Sequence, residues 1–166
     1  MKAEQKKLKG NLLAFVIFVS VLGIDQLSKF LIVKHISPGE GISLIGDFVK
    51  LRNVSNTGIA FGLFQDNSSL VALSVLVAIA MIASGFYMFR KEKDTLLMIS
   101  LGLMGGGALG NLLDRIVRGG VIDFIDFGWW PVFNIADIAI VACVLILVVD
   151  IVRKFRSEWT SKKEGD

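Results

Sequence analysis

The run V-I-D-F-I-D-F-G-W-W-P-V-F-N-I-A-D, Val121 to Asp137, decides how the rest of the chain is read. It carries three carboxylates, Asp123, Asp126 and Asp137, in a chain that is 54% hydrophobic. Directly after Asp137 comes I-A-I-V-A-C-V-L-I-L-V-V, twelve residues without a charge. A carboxylate at the mouth of a membrane helix is costly, and by default it marks a functional site. Two such groups brought together share one proton, because like charges about 3 Å apart do not both ionise readily. That is the equipment of an aspartyl protease. The plain alternative is a set of solvated loop acids.

Outward from this run, the 166 residues allow about one domain. A mean hydropathy of +0.67, spread over several long apolar runs, places the chain among membrane proteins. The net charge of +3 comes from clusters beside apolar runs and lacks the aromatic interleaving of a nucleic-acid groove, so no nucleic-acid partner is expected. Cys143 stands alone inside an apolar run, where it reads as a small buried hydrophobe. With one histidine (His35), one cysteine and no H-E-x-x-H, a zinc site is not expected, and neither metal nor other cofactor is called for.

Four apolar segments fit membrane spans, at about 11–33, 70–89, 95–113 and 135–152. The first follows a lysine-rich start like a signal peptide, but no small-x-small cleavage site comes after it, so it reads as an uncleaved span. Within it Asp25 and Lys29 stand four apart, on one helix face in the favourable acid-first order, and read as a structural ion pair that locks the bundle. Between spans one and two, I-S-L-I and F-V-K-L-R-N-V flank Gly46-Asp47, a turn of hairpin type. The glycines of N-T-G-I-A-F-G, Asn56 to Gly62, then allow tight backbone turns beside a ligand. In the third span Gly102, Gly106 and Gly110 repeat every four residues, a face open to another helix or a lipid chain, and Gly107, Asn111 and Arg115 make a second face. The tail to Asp166 reads as a charged, disordered end.

Basic charge gives the orientation. Four lysines precede span one, Arg90, Lys91 and Lys93 separate spans two and three, and five basic residues from Arg153 to Lys163 follow span four. All fall on one side of a four-span chain, which the positive-inside rule makes cytoplasmic, with both termini there. Phe127, Trp129, Trp130 and Phe133 then form the opposite aromatic belt, and 34–69 and 114–134 are extracytoplasmic. The polar residues Asp25, Lys29, Asn56, Asn111, Asp114, Arg115, Asp123, Asn134 and Asp137 all gather at the outer leaflet, which points to one site there.

Asn134 and Asp137 open the fourth helix three residues apart, with Asn134 a good N-cap. Asp123 faces them from the preceding loop. One carboxylate activates a water and the other protonates the carbonyl oxygen or leaving amine; the sequence leaves open which does which. Arg115 adds a fixed charge able to orient a backbone carbonyl or hold the local geometry.

Taken together, D-Q-L-S-K (25–29), N-T-G-I-A-F (56–61), G-G-A-L-G-N-L-L-D-R (106–115), V-I-D-F (121–124) and F-N-I-A-D (133–137) resemble, in order and spacing, the bacterial lipoprotein signal peptidases (signal peptidase II). The resemblance covers all four spans. It implies an all-α membrane protein of four transmembrane helices with a small extracytoplasmic β-hairpin or cradle, residues 1–166 forming a single integral-membrane peptidase domain. It further implies an aspartic endopeptidase of the bacterial cytoplasmic (inner) membrane. Such an enzyme removes signal peptides from diacylglyceryl-modified prolipoproteins, cleaving before the lipidated cysteine, with its site near the outer leaflet. Asp123 and Asp137, not Asp126, match the family's catalytic aspartates. Asn56, Gly58, Asn111, Arg115 and Asn134 match its substrate-binding positions, and Asp25 and Lys29 its first-helix pair. Ile59 departs from the alanine many members carry, without removing a chemical group. The expected partners are prolipoprotein and membrane lipid, around a monomer.

Rival readings fit less well. A proton-coupled transporter usually carries an internal repeat and broken helices, absent here. Ser28 and Lys29, as neighbours on a helix, point about 100° apart and make a poor serine–lysine pair. The G-x-G-D signature is broken by Leu44.

Overall fold

A computed structural model describes residues 2–46, 48–58 and 94–164. They form α1 (Lys2–His35), β1 (Gly41–Ile45), β2 (Val49–Asn56), α2 (Thr95–Arg118), β3 (Val121–Asp126) and α3 (Ile135–Glu164). Each helix contains a segment long and apolar enough to cross a membrane: Leu8–His35, Thr95–Arg118 and Ile135–Ser157. The span expected at 70–89 lies outside the described residues, as does Ile59.

The helices meet through small residues. A Cβ on Gly102 would stand 2.7 Å from the Ala14 carbonyl oxygen, and one on Gly106 equally close to that of Phe18. The face the sequence left open to a helix or a lipid chain is therefore filled by α1. On the neighbouring face, a Cβ on Gly107 would lie 2.6 Å from the Ala136 carbonyl oxygen of α3. Close backbone approach of this kind gains the van der Waals contact that drives helix association where water is absent. Outward, Leu12, Phe15, Val19, Leu145 and Val148 are exposed, an apolar surface suited to lipid.

Three helix boundaries differ from the reading by hydropathy, the first being that α1 begins at Lys2 where the span was expected from 11. The third span was expected to end at 113, but α2 runs on to Arg118, because no residue breaks it before Gly119. There the backbone turns left-handed (φ 76°), and the Gly119 N–H closes the helix on the Arg115 carbonyl at 3.1 Å. Asp114 and Arg115 are thus helix residues. The tail expected to be disordered is instead helix as far as Glu164. Its residues from Arg153 contain neither glycine nor proline before Gly165. Extending an existing helix is cheap, since the costly nucleus is already paid for in the apolar segment. Lys154 steadies this stretch by bridging Asp150 on its own helix (2.5 Å) and Asp94, the N-cap of α2 (3.3 Å).

The sheet is antiparallel in the order β1-β2-β3. β1 and β2 make the expected hairpin, with the Phe48 N–H donating to the Ile45 carbonyl at 3.0 Å. β3, read from sequence as loop, pairs with β2 so that Val54 faces Asp123 and Asn56 faces Val121. A register shift between Leu51 and Val54 interrupts the ladder beside Asn53. The Asn53 side chain donates to the Ile36 carbonyl at 2.7 Å and so ties the sheet to the end of α1. Under the sheet, Ile32 of α1 and Ile36 just beyond it pack against Ile122 and Phe124 of β3, with Leu51 and Ile135 alongside. The strand that carries Asp123 is therefore seated on the helix that carries Asp25 and Lys29. Phe127 lies within ring contact of Phe48, Trp129 and Phe133, so the expected aromatic residues cluster at the sheet end of the molecule.

Candidate active site

The chain doubles back between β3 and α3. The N–H groups of Phe124 and Ile125 donate to the Phe133 carbonyl at 3.0 and 2.8 Å, and the Phe133 N–H returns to Ile125 at 3.1 Å. This pairing brings Asn134, the next residue, against Asp123. Asp126 is turned elsewhere: it accepts from the Gly128 N–H at 2.6 Å and pairs with Arg52 at 3.4 Å.

Asn134 caps α3. Its Oδ1 accepts the Asp137 N–H at 3.0 Å, and the Asp137 carboxylate accepts the Asn134 N–H at 3.2 Å. This is a reciprocal capping box, in which each residue satisfies an orphan donor of the other. The fully buried Asn134 amide then reaches across, donating to Asp123 Oδ1 at 2.7 Å and to Asn111 Oδ1 at 3.1 Å. Asn111 in turn donates to Asp137 Oδ1 at 2.9 Å. The two carboxylates are thus held from one asparagine, and both are presented with amide N–H groups.

Asp123 is 4% exposed. Burial, set against donors from Asn56 and Asn134 and reinforced by the charge of Asp137, pushes its carboxyl up to about 6. The Asn56 donor lies 2.9 Å from Asp123 Oδ2, and Asn56 Oδ1 accepts the Gly58 N–H at 3.0 Å. Arg115 donates to the Gly58 carbonyl at 3.4 Å and to the Asn111 carbonyl at 3.3 Å, so it does orient backbone carbonyls. All five positions matched by resemblance, Asn56, Asn111, Arg115 and Asn134 with the backbone of Gly58, therefore join one network with Asp123 and Asp137. Asp137, Asn56, Asn111 and Arg115 remain partly exposed, which gives this network an open side.

Behind it lies a dry ionic cluster. Lys29 bonds Asp25 and Asp114, each at 2.9 Å, and all three side chains are 0% exposed. The pair expected on α1 is present, but it is one edge of a larger group. Asp114, counted in the sequence only as one of the polar residues at the outer leaflet, also pairs with Arg118 and accepts the Ile122 N–H at 3.2 Å. Gln26 donates to Asp25, to Asp114 and to the Gly110 carbonyl. The available signal for Asp114 was its spacing of four from Arg118 on one helix face.

Comparison with known proteins identifies the family. The family model described as signal peptidase (SPase) II matches residues 17–153. The lipoprotein signal peptidase of Moorella thermoacetica is 49% identical over 128 residues, covering 76% of this chain and 84% of that protein. That of Rhodococcus jostii is 43% identical over 145 residues, covering 84% and 72%. Two solved bacterial membrane enzyme structures, obtained by the in meso method, superpose with TM-scores of 0.79 and 0.75 at 26% and 28% identity. They cover 86% and 83% of this chain, and 88% and 91% of their own. On the strength of a match running from α1 into the last helix, the chain belongs to the signal peptidase II family, the bacterial lipoprotein signal peptidases, and is a membrane-embedded protease.

Proposed function

We propose that the chain is an aspartic endopeptidase whose reacting groups are Asp123 and Asp137. The observation that carries this reading is that Asn134 binds both: its amide donates to Asp123 at 2.7 Å and its backbone N–H to Asp137 at 3.2 Å. Two carboxylates in one hydrogen-bonded unit share a proton, as general acid and base require. The carboxyl of Asp123, pushed up to about 6, is suited to hold that proton. Asp137 stands at a helix N-terminus, where negative charge is favoured, and is suited to accept one from water.

In the proposed reaction a water between the two loses its proton to Asp137 and attacks the scissile carbonyl, while Asp123 gives its proton to the carbonyl oxygen. Collapse of the tetrahedral intermediate breaks the C–N bond: the leaving nitrogen takes the proton from Asp137, and one hydroxyl of the gem-diol returns its proton to Asp123, leaving the new carboxyl group and both aspartates as they began. Arg115, through the Gly58 carbonyl, and Asn56 hold the segment at 56–58 against Asp123, where a substrate backbone is best received.

The proposed substrate is a diacylglyceryl-modified prolipoprotein, cut before its lipidated cysteine. This follows from family membership, and the apolar outer surface of the helices is in keeping with it. The reading includes four spans with both termini cytoplasmic, a single peptidase domain, a site near the outer leaflet, a monomer, and no metal or cofactor. The test is turnover of a diacylglyceryl-modified lipobox peptide by the purified protein, with and without EDTA. Cleavage before the lipidated cysteine, unchanged by EDTA and lost in Asp123→Asn and Asp137→Asn, is the expected result. Substantial activity in either variant, or EDTA inhibition reversed by zinc, overturns it.

A further inference from the structure

We infer that Lys29 is a positioning residue for the reaction, not only a lock between helices: its ammonium group sets the placement of both aspartates at once. This rests on the aspartic reading above. An ammonium group has three N–H donors. Here all three are engaged, and each leads to the Asp123–Asp137 unit by a separate route.

The first donor goes to Asp25 at 2.9 Å, and the other oxygen of Asp25 accepts the Ala136 N–H at 3.0 Å. Ala136 is the residue immediately before Asp137. The second goes to Asp114, also at 2.9 Å, and the same Asp114 oxygen accepts the Ile122 N–H at 3.2 Å. Ile122 is the residue immediately before Asp123. So Lys29 grips, through one carboxylate each, the backbone directly preceding each aspartate.

The third donor goes to Asn111 Oδ1 at 2.9 Å. An asparagine side chain has one oxygen and one NH₂ group. With Lys29 and Asn134 both donating to that oxygen, the NH₂ group is left to face Asp137, to which it donates at 2.9 Å. A lysine cannot accept, so it forbids the flipped amide. The flipped form would turn the Asn111 oxygen toward the Asp137 carboxylate and take away its donor. The direction of the Asn111 amide, and with it the donor that Asp137 receives, thus follows from the lysine.

A purely structural ion pair needs none of these coincidences. It would hold α1 to α2 equally well from any dry position along the glycine face. Misplacement of reacting groups by about 1 Å is enough to cost on the order of 100-fold in rate.

The test compares full-length variants in the same micelles, with the diacylglyceryl-modified lipobox peptide as substrate. Lys29→Met leaves Asp25 uncompensated in a dry site, so it is paired with the charge-balanced Asp25→Asn/Lys29→Met, in which Asp114 keeps Arg118. Gly102→Ala serves as a destabilised reference, since it wedges α1 from α2 away from the aspartates. The expected result is a kcat per folded molecule lower by on the order of 100-fold in the double variant, at a KM within about two-fold of the parent. Gly102→Ala, at equal or lower Tm, loses only a few-fold.

The pH profile provides a second readout. Asp123 is faced by Asp137, Arg115 and Lys29 among charged groups and by the Asn56 and Asn134 donors. Loss of the lysine charge should move its titration, and the alkaline limb of kcat/KM, to higher pH. A double variant with near-parental kcat and an unmoved pH limb overturns the inference. So does a double variant that fails to fold, since charge-balanced removal would then show a role confined to holding the bundle. Asp123→Asn and Asp137→Asn, assayed alongside, separate this failure from that of the aspartic reading: if both are inactive while the double variant is active, only the positioning role falls.

Discussion

Asn134 and Asp137 bind each other twice, side chain to backbone in both directions, at 3.0 and 3.2 Å. The consequence is that the residue capping the last helix also fixes the rotamer of the proposed general base. Asn134→Ala should therefore show two separable effects. Loss of the cap costs about 1 kcal/mol of stability, and loss of the bond to Asp123 should lower kcat by on the order of 100-fold. Thermal melting and single-turnover rates on the same preparation check both. An Asn134→Ala protein with a normal rate would leave Asn134 as a cap alone.

The neighbouring carboxylate provides a negative control. Asp126 is bound by Arg52 and the Gly128 N–H and makes no bond within the Asn134 network. Asp126→Asn should keep most of the parental activity, within about three-fold, because its amide oxygen can still accept the Gly128 N–H and the pair it gives up, to a half-exposed Arg52, lies outside the Asn134 network. Inactivation of a folded Asp126→Asn protein would show that the wrong acids have been paired.

Activity should depend on pH in a definite direction. Asp123 loses its proton as pH rises through about 6, so kcat/KM should fall on the alkaline side with that apparent midpoint. Asn56 donates to Asp123 and favours its charged form. Asn56→Ala should move the limb to higher pH, and a shift to lower pH would contradict the assignment. Stability follows the same sign. With the folded value above the reference of 3.8, this group's contribution is complete below 3.8 and is lost as pH rises through about 6.

Gly106 tests the packing. A Cβ there would meet the Phe18 carbonyl at 2.7 Å and Val21 at 2.9 Å. Gly106→Ala should destabilise by about 1–3 kcal/mol, as overpacking does, seen as a lower Tm in the same detergent. No change in Tm would mean that α1 and α2 separate at little cost.

Lipid recognition gives the last prediction. The glycine face is occupied by α1 and so is closed to the acyl chains of the proposed substrate. Their contribution is then chiefly to fix the depth of the scissile bond, which can be worth several kcal/mol of barrier. A lipobox peptide without the diacylglyceryl group should be cleaved very poorly, even when it partitions into the same micelles. Equal kcat/KM for the two peptides would remove lipid from the recognition while leaving Asp123 and Asp137 untouched.

Legibility in the sequence tracked the range of the interactions. Asn134 and Asp137 are three residues apart, and the cap they form could be read directly. The Asp25–Lys29 pair, four apart on one helix, was equally plain. Asp114 was named among the polar residues at the outer leaflet, but its pairing was not legible, because its partner Lys29 is 85 positions away and no local pattern announces such a contact. β3 was read as loop because V-I-D-F-I-D lacks a two-residue alternation; it becomes a strand only because β2 offers it an edge. The tail was misjudged for a different reason. Charge-rich composition resembles disorder, but it does not stop a helix that is already running.

The bond from Asp25 to the Ala136 N–H joins the first helix to the opening of the last, 111 residues later. For a chain inserted from its N-terminus, this has a consequence in time. Until the first turn of α3 is wound, Asp137 has no cap, Asp25 has no backbone to grip, and the asparagine between the two aspartates has nowhere to bind. Under the proposed mechanism the nascent enzyme is therefore harmless to its surroundings until that turn forms: its capacity to cut peptide bonds waits on the winding of α3.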